Sequence, residues 1–333
     1  MAIKGIFPFP ERMELALLPA RLLKKFKLDA LLPKFARDAL ALIPEKAGSV
    51  VLPEVSPAVT PERRGRVGFV SGCVMSVLFG ETNAASVRLL NRAGFEVVTP
   101  RAQACCGALY AHDGNLEDAR AAARRNVLAF EQLGVEAIII NAAGCGSTLK
   151  EYGHLLHDDP AWVDRAASFS RKVKDLTEFL VQSEYSVINN QCSVADSKIS
   201  SSHIDCYAPP VTYHDACHLA HAQRITKPPR ELVRVVAGVG FVELPESDVC
   251  CGSAGSYNLT EPDMAERLQR RKTENILKTG AKIVVTTNPG CLLQIRAGLR
   301  KAGACDVEVL HIADYLDRAL PVESVSAQWK QPA

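Results

Sequence analysis

The stretch ACCGALY at residues 104–110 decides the fold, because a related stretch, VCCGSAG, returns at residues 249–255. Two further pairs of stretches return at nearly the same distance. AGFEVV at 93–98 matches VGFVEL at 239–244, and GVEAIIINAAGC at 134–145 matches GAKIVVTTNPGC at 280–291. Self-similarity at a fixed period is the sequence signature of a repeated structural unit. The chain is therefore predicted to contain two copies of one domain.

Eight of the eleven cysteines follow this repeat, four in each copy. They are Cys73, Cys105, Cys106 and Cys145 in the first copy, and Cys217, Cys250, Cys251 and Cys291 in the second. Corresponding members are 144 to 146 residues apart. Apolar packing would not reproduce such spacing twice, so the two sets are candidate ligand sites. Cys192, Cys206 and Cys305 have no counterpart and are expected to be free thiols.

Composition excludes several classes of protein. The 333 residues are 47% hydrophobic and 23% charged, which is typical of a globular chain long enough for two cores. A formal net charge of +2 shows no large excess of basic residues that would bind a polyanion, so nucleic acid is not an expected partner. The odd cysteine count and the length argue against a disulfide framework. Residues 1–12 lack the apolar region of a signal peptide, and no apolar run reaches membrane-spanning length, so we expect a cytoplasmic location.

Strands alternate with helices in both copies. Apolar runs predict strands at 67–70, 95–98 and 137–140, and at 211–213, 241–244 and 283–285. Helical spacing predicts helices over 83–93 and 116–133, and a third helix with Thr260 as its N-cap. This order predicts an α/β fold of two tandem, pseudo-symmetric domains, each with a short parallel sheet flanked by helices. Every repeated cysteine follows a predicted strand, so four thiols should converge at the carboxyl edge of each sheet.

The remaining segments set the predicted domain limits. Residues 1–45 are predicted as an amphipathic helical segment, cut by Pro19 and Pro33, that packs on the first domain. A docking surface for a partner or a membrane is the alternative for this segment. The other predicted limits are 46–65 for a Pro-rich linker, 66–185 for the first domain, 186–210 for an interdomain loop, 211–320 for the second domain and 321–333 for a C-terminal tail.

Four converging thiolates suit either zinc or an iron–sulfur cluster. Structural zinc sites usually use paired Cys-x-x-Cys segments, which this chain lacks. A vicinal Cys-Cys pair with two distant single cysteines forms a wider cage, so we favour an iron–sulfur cluster and keep zinc, in a structural scaffold, as the alternative. Thiol–disulfide exchange through the vicinal pairs would form a strained bond and leave the other four cysteines unexplained.

Three histidines accompany the second set of cysteines. His214 and His218 flank Cys217, and His221 follows one turn later. Each could bind a metal or donate a hydrogen bond to a cluster, although a histidine beside a loop is more often a capping or surface group. No phosphate-binding loop or dinucleotide fingerprint is present. The pattern indicates electron transfer in this chain and bond-making chemistry elsewhere.

The order of one Cys, then Cys-Cys-Gly, then a late Cys resembles the CCG cysteine-rich domain of the heterodisulfide reductases. Six motifs, from GCVMSVLFGETNAASVRLL at 72–90 to TTNPGC at 286–291, are similar to those of the glycolate oxidase iron–sulfur subunits. The resemblance covers residues 66–318. It implies that the eight repeated cysteines are the ligands of iron–sulfur clusters, of the 4Fe-4S type, in an oxidoreductase subunit that is not catalytic alone.

The same resemblance implies partners for the chain. Flavin-containing subunits would oxidise glycolate or another 2-hydroxy acid and pass electrons to this chain. The acceptor would be a ferredoxin-type protein or a quinone. Such a subunit would be cytoplasmic, and the resemblance leaves open a peripheral contact with the inner face of the cell membrane.

Two features depart from the family pattern. Domains that bind a noncubane cluster through five thiolates end in Cys-x-x-Cys, whereas this chain has Ala142 and Asn288 at the first of those positions. Glycolate oxidase iron–sulfur subunits normally begin with a ferredoxin-like part, and this chain has no cysteine before Cys73. A separate ferredoxin-like protein or a fragmentary chain would account for the difference. Lactate-utilisation proteins, whose CCG subunit works with a separate ferredoxin subunit, are the alternative family.

Overall fold

The fold contains two largely parallel sheets, one in each half of the chain. The computed structural model describes residues 5–26, 32, 48–60, 62–183, 209–253, 255 and 257–319. The strands are β1 Val55–Ser56, β2 Gly65–Phe69, β3 Phe95–Val98, β4 Ala137–Ile140, β5 Val173–Asp175, β6 Val211–Tyr213, β7 Ile283–Thr286 and β8 Glu308–His311. Their order is β1-β3-β2-β4-β5 in the first sheet and β6-β7-β8 in the second.

Helices cover the sheets and connect their strands. They are α1 Pro10–Lys25, α2 Cys73–Leu78, α3 Gly80–Arg92, α4 Ala108–His112, α5 Leu116–Glu131, α6 Ala143–Lys150, α7 Tyr152–Leu155, α8 Val163–Lys172, α9 Leu176–Gln182, α10 Lys227–Ala237, α11 Tyr257–Thr260, α12 Pro262–Lys278, α13 Pro289–Lys301 and α14 Ile312–Ala319. A π-helical turn covers His218–Ala222, and a 3₁₀ turn covers Gly238–Gly240.

Corresponding strands pair in the same way in both sheets. In the first sheet β2 lies beside β4 with Val67 opposite Ala137, and in the second β6 lies beside β7 with Val211 opposite Ile283. β5 pairs in parallel with β4 on the side away from β2, and β8 pairs in parallel with β7 on the side away from β6. The predicted α/β class and the twofold repeat are confirmed.

The predicted strand that begins at Phe241 is wrong beyond its first residue. Phe241 makes one parallel bridge to Val211, in the place that β3 has beside β2. The Thr212 hydroxyl donates to the Val242 carbonyl at 2.7 Å, and Pro245 has no N–H group to offer. The ladder therefore ends after one bridge.

Some short elements differ from the sequence prediction. No strand is predicted at β1, β5 or β8, because their sequences VS, VKD and EVLH contain polar residues and form no apolar run. β1 lies inside the predicted linker and pairs antiparallel with β3. Helix α12 begins at Pro262 after Glu261, so the predicted cap at Thr260 is one residue early.

Helix α1 runs through Pro19, so the predicted break at this residue is wrong. Proline removes one intrahelical hydrogen bond, but Pro19 is exposed and water can solvate the carbonyl group left free. Met13 is only 2% exposed, and its helix contacts α2. The described part of the N-terminal segment therefore packs on the first half of the chain.

Several predictions concern residues outside the described part of the chain. They include the part of the predicted helical segment that follows Pro33, and the C-terminal tail. The interdomain loop is described only at residues 209 and 210, so Cys192 and Cys206 also lie outside. These predictions, like the domain limits, stay predictions.

The two halves pack against each other through α3 and α14. The Thr82 hydroxyl donates to Asp314 at 2.8 Å, and the Arg88 guanidinium pairs with Asp317 at 2.6 Å. Both carboxylates belong to α14 and both partners to α3. Polar pairs thus fix how one half lies on the other.

The buried His311 makes a second link between the halves. Its Nδ1 accepts from the Ala313 N–H group at 3.1 Å, so its Nε2–H group donates to the Asn141 carbonyl at 2.7 Å. Burial lowers the pKa of His311, which keeps the ring neutral for this pair of bonds. The end of β8 is thereby tied to the end of β4.

Candidate metal centres

The cysteines lie where the strands end. Helix α2 begins at Cys73, shortly after β2, and Cys145 lies in the first turn of α6, after β4. In the second half Cys217 follows β6, and Cys291 lies in the first turn of α13, after β7. Because parallel strands end at the same edge of a sheet, each half brings distant cysteines together.

The first site, defined as Cys73, Cys105, Cys106 and Cys145, is a row of thiols. The sulfur atoms of Cys73 and Cys105 are 3.4 Å apart. Cys105 also hydrogen-bonds to Cys106, and Cys106 to Cys145. Three of these side chains are buried, and Cys145 is half-buried. The structure therefore brings together all four residues predicted for this site.

The second site, defined as Cys217, Cys250, Cys251 and Cys291, repeats the same row. Cys217 hydrogen-bonds to Cys250, Cys250 to Cys251, and Cys251 to Cys291. Cys217 and Cys250 are half-buried, and the other two are buried. Every described cysteine is a free thiol, and Cys305 lies exposed, away from both rows.

The thiols of each row change one another's protonation. Hydrogen bonds from neighbouring cysteine thiols lower the pKa of Cys105 to about 4 and that of Cys250 to about 2. Hydrogen bonding to Cys105, followed by burial, raises the pKa of Cys73. Each site therefore contains at least one cysteine whose thiolate form is favoured at neutral pH. A metal would displace the remaining protons, so its uptake would release protons.

A glycine after each Cys-Cys pair permits a tight turn. Gly107 has φ +86° and Gly252 has φ +90°, in the left-handed region that favours glycine. A Cβ atom on Gly252 would lie 2.3 Å from the Ala265 carbonyl oxygen, and one on Gly107 would lie 3.3 Å from the Ala119 backbone. Each turn thus packs directly on the helix that follows it, α5 or α12.

Among the three predicted histidines, His214 is the buried one. Its side chain is fully buried, and neither ring nitrogen has a hydrogen-bond partner. A ring nitrogen of His214 and the sulfurs of Cys251 and Cys291 all lie within 4.8 Å of one another. The hydrogen bond from Cys251 and the proximity of His214 outweigh burial and hold the pKa of Cys291 well below its usual range.

The other two histidines lie at the edge of the second site. His218 Nδ1 is 3.6 Å from the Cys217 sulfur, and its ring meets that of His112 edge-on at 5.5 Å. His221 is exposed, and its Nε2 is 3.1 Å from the Asp248 carbonyl oxygen. His221 is therefore a loop-binding residue rather than a donor to the site.

Sequence reasoning missed two buried polar side chains that hold the Cys-Cys loops. Lys272 is 2% exposed, and its ammonium group donates to the Glu246 carbonyl and, at 3.2 Å, to the Ser247 carbonyl. In the first half, Asn126 donates to the Cys105 carbonyl at 3.1 Å. Each side chain fixes the loop that brings a Cys-Cys pair to its site.

One cavity of about 470 Å³ lies between the two sites, and thiols of both sites line it. The side chain of Asn288 spans the boundary beside this cavity. Its Oδ1 accepts from the Gly144 N–H group at 3.2 Å, and its Nδ2 lies 3.6 Å from the Cys291 sulfur. Apolar side chains of the N-terminal segment, Met13 and Leu17 among them, cover the cavity from outside.

These features fit a sulfur-rich metal group at each site. Four thiol sulfurs in a row match the Cys₄ ligand set of iron–sulfur clusters. The unpartnered, buried ring nitrogens of His214 are the kind of polar atoms that a bound group satisfies. The lowered thiol pKa values favour the deprotonated form that binds metal.

A family profile described as a cysteine-rich domain, CCG, matches residues 67–150 and 211–296. The chain belongs to the CCG cysteine-rich domain family. The two matched segments together contain all eight thiols of the two sites, four in each segment. Each CCG segment thus contributes one complete site.

Curated proteins related to this chain include iron–sulfur subunits of oxidoreductases. The chain is 37% identical to the probable glycolate oxidase iron-sulfur subunit of Bacillus subtilis, over 95% of this chain and 71% of that protein. It is 33% identical to the glycolate oxidase iron-sulfur subunit of Escherichia coli, over 81% of this chain and 62% of that protein. The resemblance predicted from the motifs is confirmed.

Two further relatives bear on the size and fold of the chain. Lactate utilization protein A of Oceanobacillus iheyensis is 30% identical over 76% of this chain and 96% of that protein. The crystal structure of a hypothetical protein from Helicobacter pylori covers 87% of this chain and 54% of that chain with a TM-score of 0.51. At 12% identity this likeness shows the fold alone.

Proposed function

We propose that this chain is the iron–sulfur electron-transfer subunit of a flavin-dependent 2-hydroxy-acid oxidase or dehydrogenase, with glycolate oxidised in the flavin partner. The observation that supports this most strongly is the pairing of two four-thiol sites across one cavity of about 470 Å³. Such an arrangement suits two redox groups that exchange electrons. The similarity to the probable glycolate oxidase iron-sulfur subunit, over 71% of its length, supports the choice of complex.

Each site would hold one cluster of the 4Fe-4S type, with its four cysteines as ligands. Consecutive thiolates on a turn can bind two iron atoms of one cluster, which suits the Cys105-Cys106 and Cys250-Cys251 pairs. A bound cluster supplies storage for one electron at a time. The chain would bind it through thiolates, and Met13 and Leu17 of the N-terminal helix line the cavity between the sites. Zinc at one site is the alternative.

The partners would be flavin-containing subunits that reduce this chain and a ferredoxin-type protein or quinone that oxidises it. The subunit would act in the cytoplasm, with peripheral contact at the inner face of the membrane if the acceptor is a quinone. In the part of the chain that the structure describes, no helix is long and apolar enough to cross a bilayer.

A second candidate function is lactate utilisation. The chain matches 96% of the length of a lactate utilization protein A, whereas it matches 62% of the glycolate oxidase subunit of Escherichia coli. In that case this chain would work with a separate ferredoxin-like protein. The two candidates differ in the 2-hydroxy acid that delivers electrons.

The test is substrate-driven reduction of the native complex. The full chain is purified anaerobically with its flavin partner, and glycolate or L-lactate is added in separate samples. We expect glycolate to bleach the visible absorbance of the clusters within the complex. Bleaching by L-lactate alone would favour the second candidate. If dithionite reduces the clusters but neither glycolate nor L-lactate does, both candidates are contradicted.

A further inference from the structure

The two sites can be compared residue by residue, because the structure fixes their register. The Val70 N–H group donates to the Ile139 carbonyl at 2.9 Å, and the His214 N–H group donates to the Val285 carbonyl at 2.9 Å. Val70 and His214 therefore occupy the same position, just after equivalent strands. The first site has an apolar side chain where the second has an imidazole.

Helices α5 and α12 have a matching register. The turn at Gly107 lies against Ala119, and the turn at Gly252 lies against Ala265, so residues 146 apart correspond in these helices. By the same spacing, the position of Asn126 in α5 is that of Lys272 in α12. A neutral amide at the first site is thus replaced by a buried amine at the second.

Lys272 adds positive charge beside the second site. Its amine lies close enough to Cys251 and Cys291 to interact electrostatically with their sulfurs. Two backbone carbonyls accept hydrogen bonds from its Nζ, as they would from an ammonium group. An anionic metal group held by thiolates would strengthen the charged form further.

Asn288 gives the second site a hydrogen bond that the first lacks. Its Nδ2 lies 3.6 Å from the Cys291 sulfur. The equivalent residue in the first half is Ala142, which has no polar side chain. The second site also has two half-buried thiols, Cys217 and Cys250, whereas the first site has one, Cys145.

These differences act in one direction on a reduction potential. Reduction adds negative charge, so a nearby cation, a hydrogen bond to sulfur and contact with solvent each favour the reduced form. Imidazole coordination in place of thiolate raises the potential as well. At the equivalent places the first site has a valine, an asparagine and an alanine, and only one of its four thiols is half-buried.

We propose that His214 donates an imidazole nitrogen to the metal group of the second site in place of one of the four thiolates assigned to that site, and that this site has the higher reduction potential of the two. The proposal rests on the proposed function, in which both sites hold iron–sulfur clusters. One electron from the reduced flavin of the partner would enter the first cluster. The electron would then pass to the second cluster, which reduces that cluster and reoxidises the first. The second cluster would finally pass the electron to the quinone or ferredoxin-type acceptor.

Pulsed EPR on the full chain tests the nitrogen donor directly. The protein is labelled with ¹⁵N-histidine, loaded with clusters and partly reduced. We expect a strongly coupled histidine nitrogen on one cluster, lost in His214→Ala and retained in His221→Ala, whose histidine binds only a loop carbonyl. If His214→Ala does not fold, the labelled unmodified protein decides, because a reduced second cluster without a coupled nitrogen would overturn the proposal.

Redox titration followed by EPR tests the order of the potentials. Cys106→Ser removes a ligand of the first site and so identifies the signal of the second. We expect the second cluster to titrate at the higher potential, and His214→Ala and Lys272→Gln to shift only this midpoint downward. Equal potentials, or a lower one at the second site, would overturn the proposal while leaving a two-cluster protein intact.

A chain that binds zinc or no metal at the second site would overturn the proposal, and one without any iron would overturn the proposed function too.

Discussion

Gly107 and Gly252 follow the two Cys-Cys pairs and differ in how closely the next helix approaches them. Alanine at either position would strain a left-handed backbone, at a cost of about 1–3 kcal/mol. At Gly252 the new Cβ would also lie 2.3 Å from a backbone carbonyl oxygen, whereas at Gly107 the nearest atom is 3.3 Å away. We expect Gly252→Ala to lower the urea midpoint of unfolding of the full chain more than Gly107→Ala. Equal losses would contradict the close packing of this turn.

The cysteines of the sites could be predicted from the sequence, but some of their neighbours could not. Repetition at 144 to 146 residues identifies the eight thiols without any structure. Lys272 lies in the charged segment RRKTEN, which is typical of a solvated helix face, and only the two carbonyls that it binds explain its burial. His214 is conspicuous in the sequence, yet its unpartnered ring appears only when the strands are assembled.

Helix α9 begins with a buried carboxylate that makes its stability depend on pH. Asp175 caps this helix, and its Oδ1 accepts from the Thr177 N–H group at 2.8 Å. Burial raises the pKa of Asp175 from 3.8 to about 6. Protonated Asp175 therefore contributes to the free energy of unfolding. This contribution is complete below pH 3.8 and is lost as the pH rises through about 6.

Asp175→Asn should remove this dependence while keeping a side chain that caps helices well. Relative to the unmodified chain, we expect the variant's free energy of unfolding to rise between pH 4 and pH 7, by up to about 3 kcal/mol for a shift of this size. Urea unfolding at several pH values measures the difference. A difference that does not change with pH would show that Asp175 titrates normally in the folded chain.

Strands with a mostly apolar sequence could be predicted, and strands without one could not. The strands at 95–98 and 137–140 have the predicted bounds, because apolar residues dominate both segments. β5 and β8 are three and four residues long, and they become strands only by pairing with β4 and β7. Residues 241–244 are predicted as a strand, but only Phe241 forms a bridge, to Val211, and the following residues leave the sheet.

At the scale of the molecule, polar links between the halves hold the two sites on one cavity. Arg88 pairs with Asp317, His311 donates to the Asn141 carbonyl, and Asn288 accepts from the Gly144 N–H group. None of these contacts could be predicted from the sequence, because a repeat defines each unit but not how the units pack. The shared cavity follows from that packing and supports electron exchange between the sites.

The most direct measurement of the central claim is metal analysis with EPR on the anaerobically prepared full chain and on two matched variants, Cys106→Ser and Cys251→Ser. We expect iron and acid-labile sulfide for two clusters in the unmodified chain. In either variant we expect about half of the iron and half of the acid-labile sulfide. Cys106→Ser should lose the EPR signal of the first cluster, and Cys251→Ser that of the second. Zinc without iron or acid-labile sulfide, in a folded chain, would contradict an electron-transfer role for the two sites.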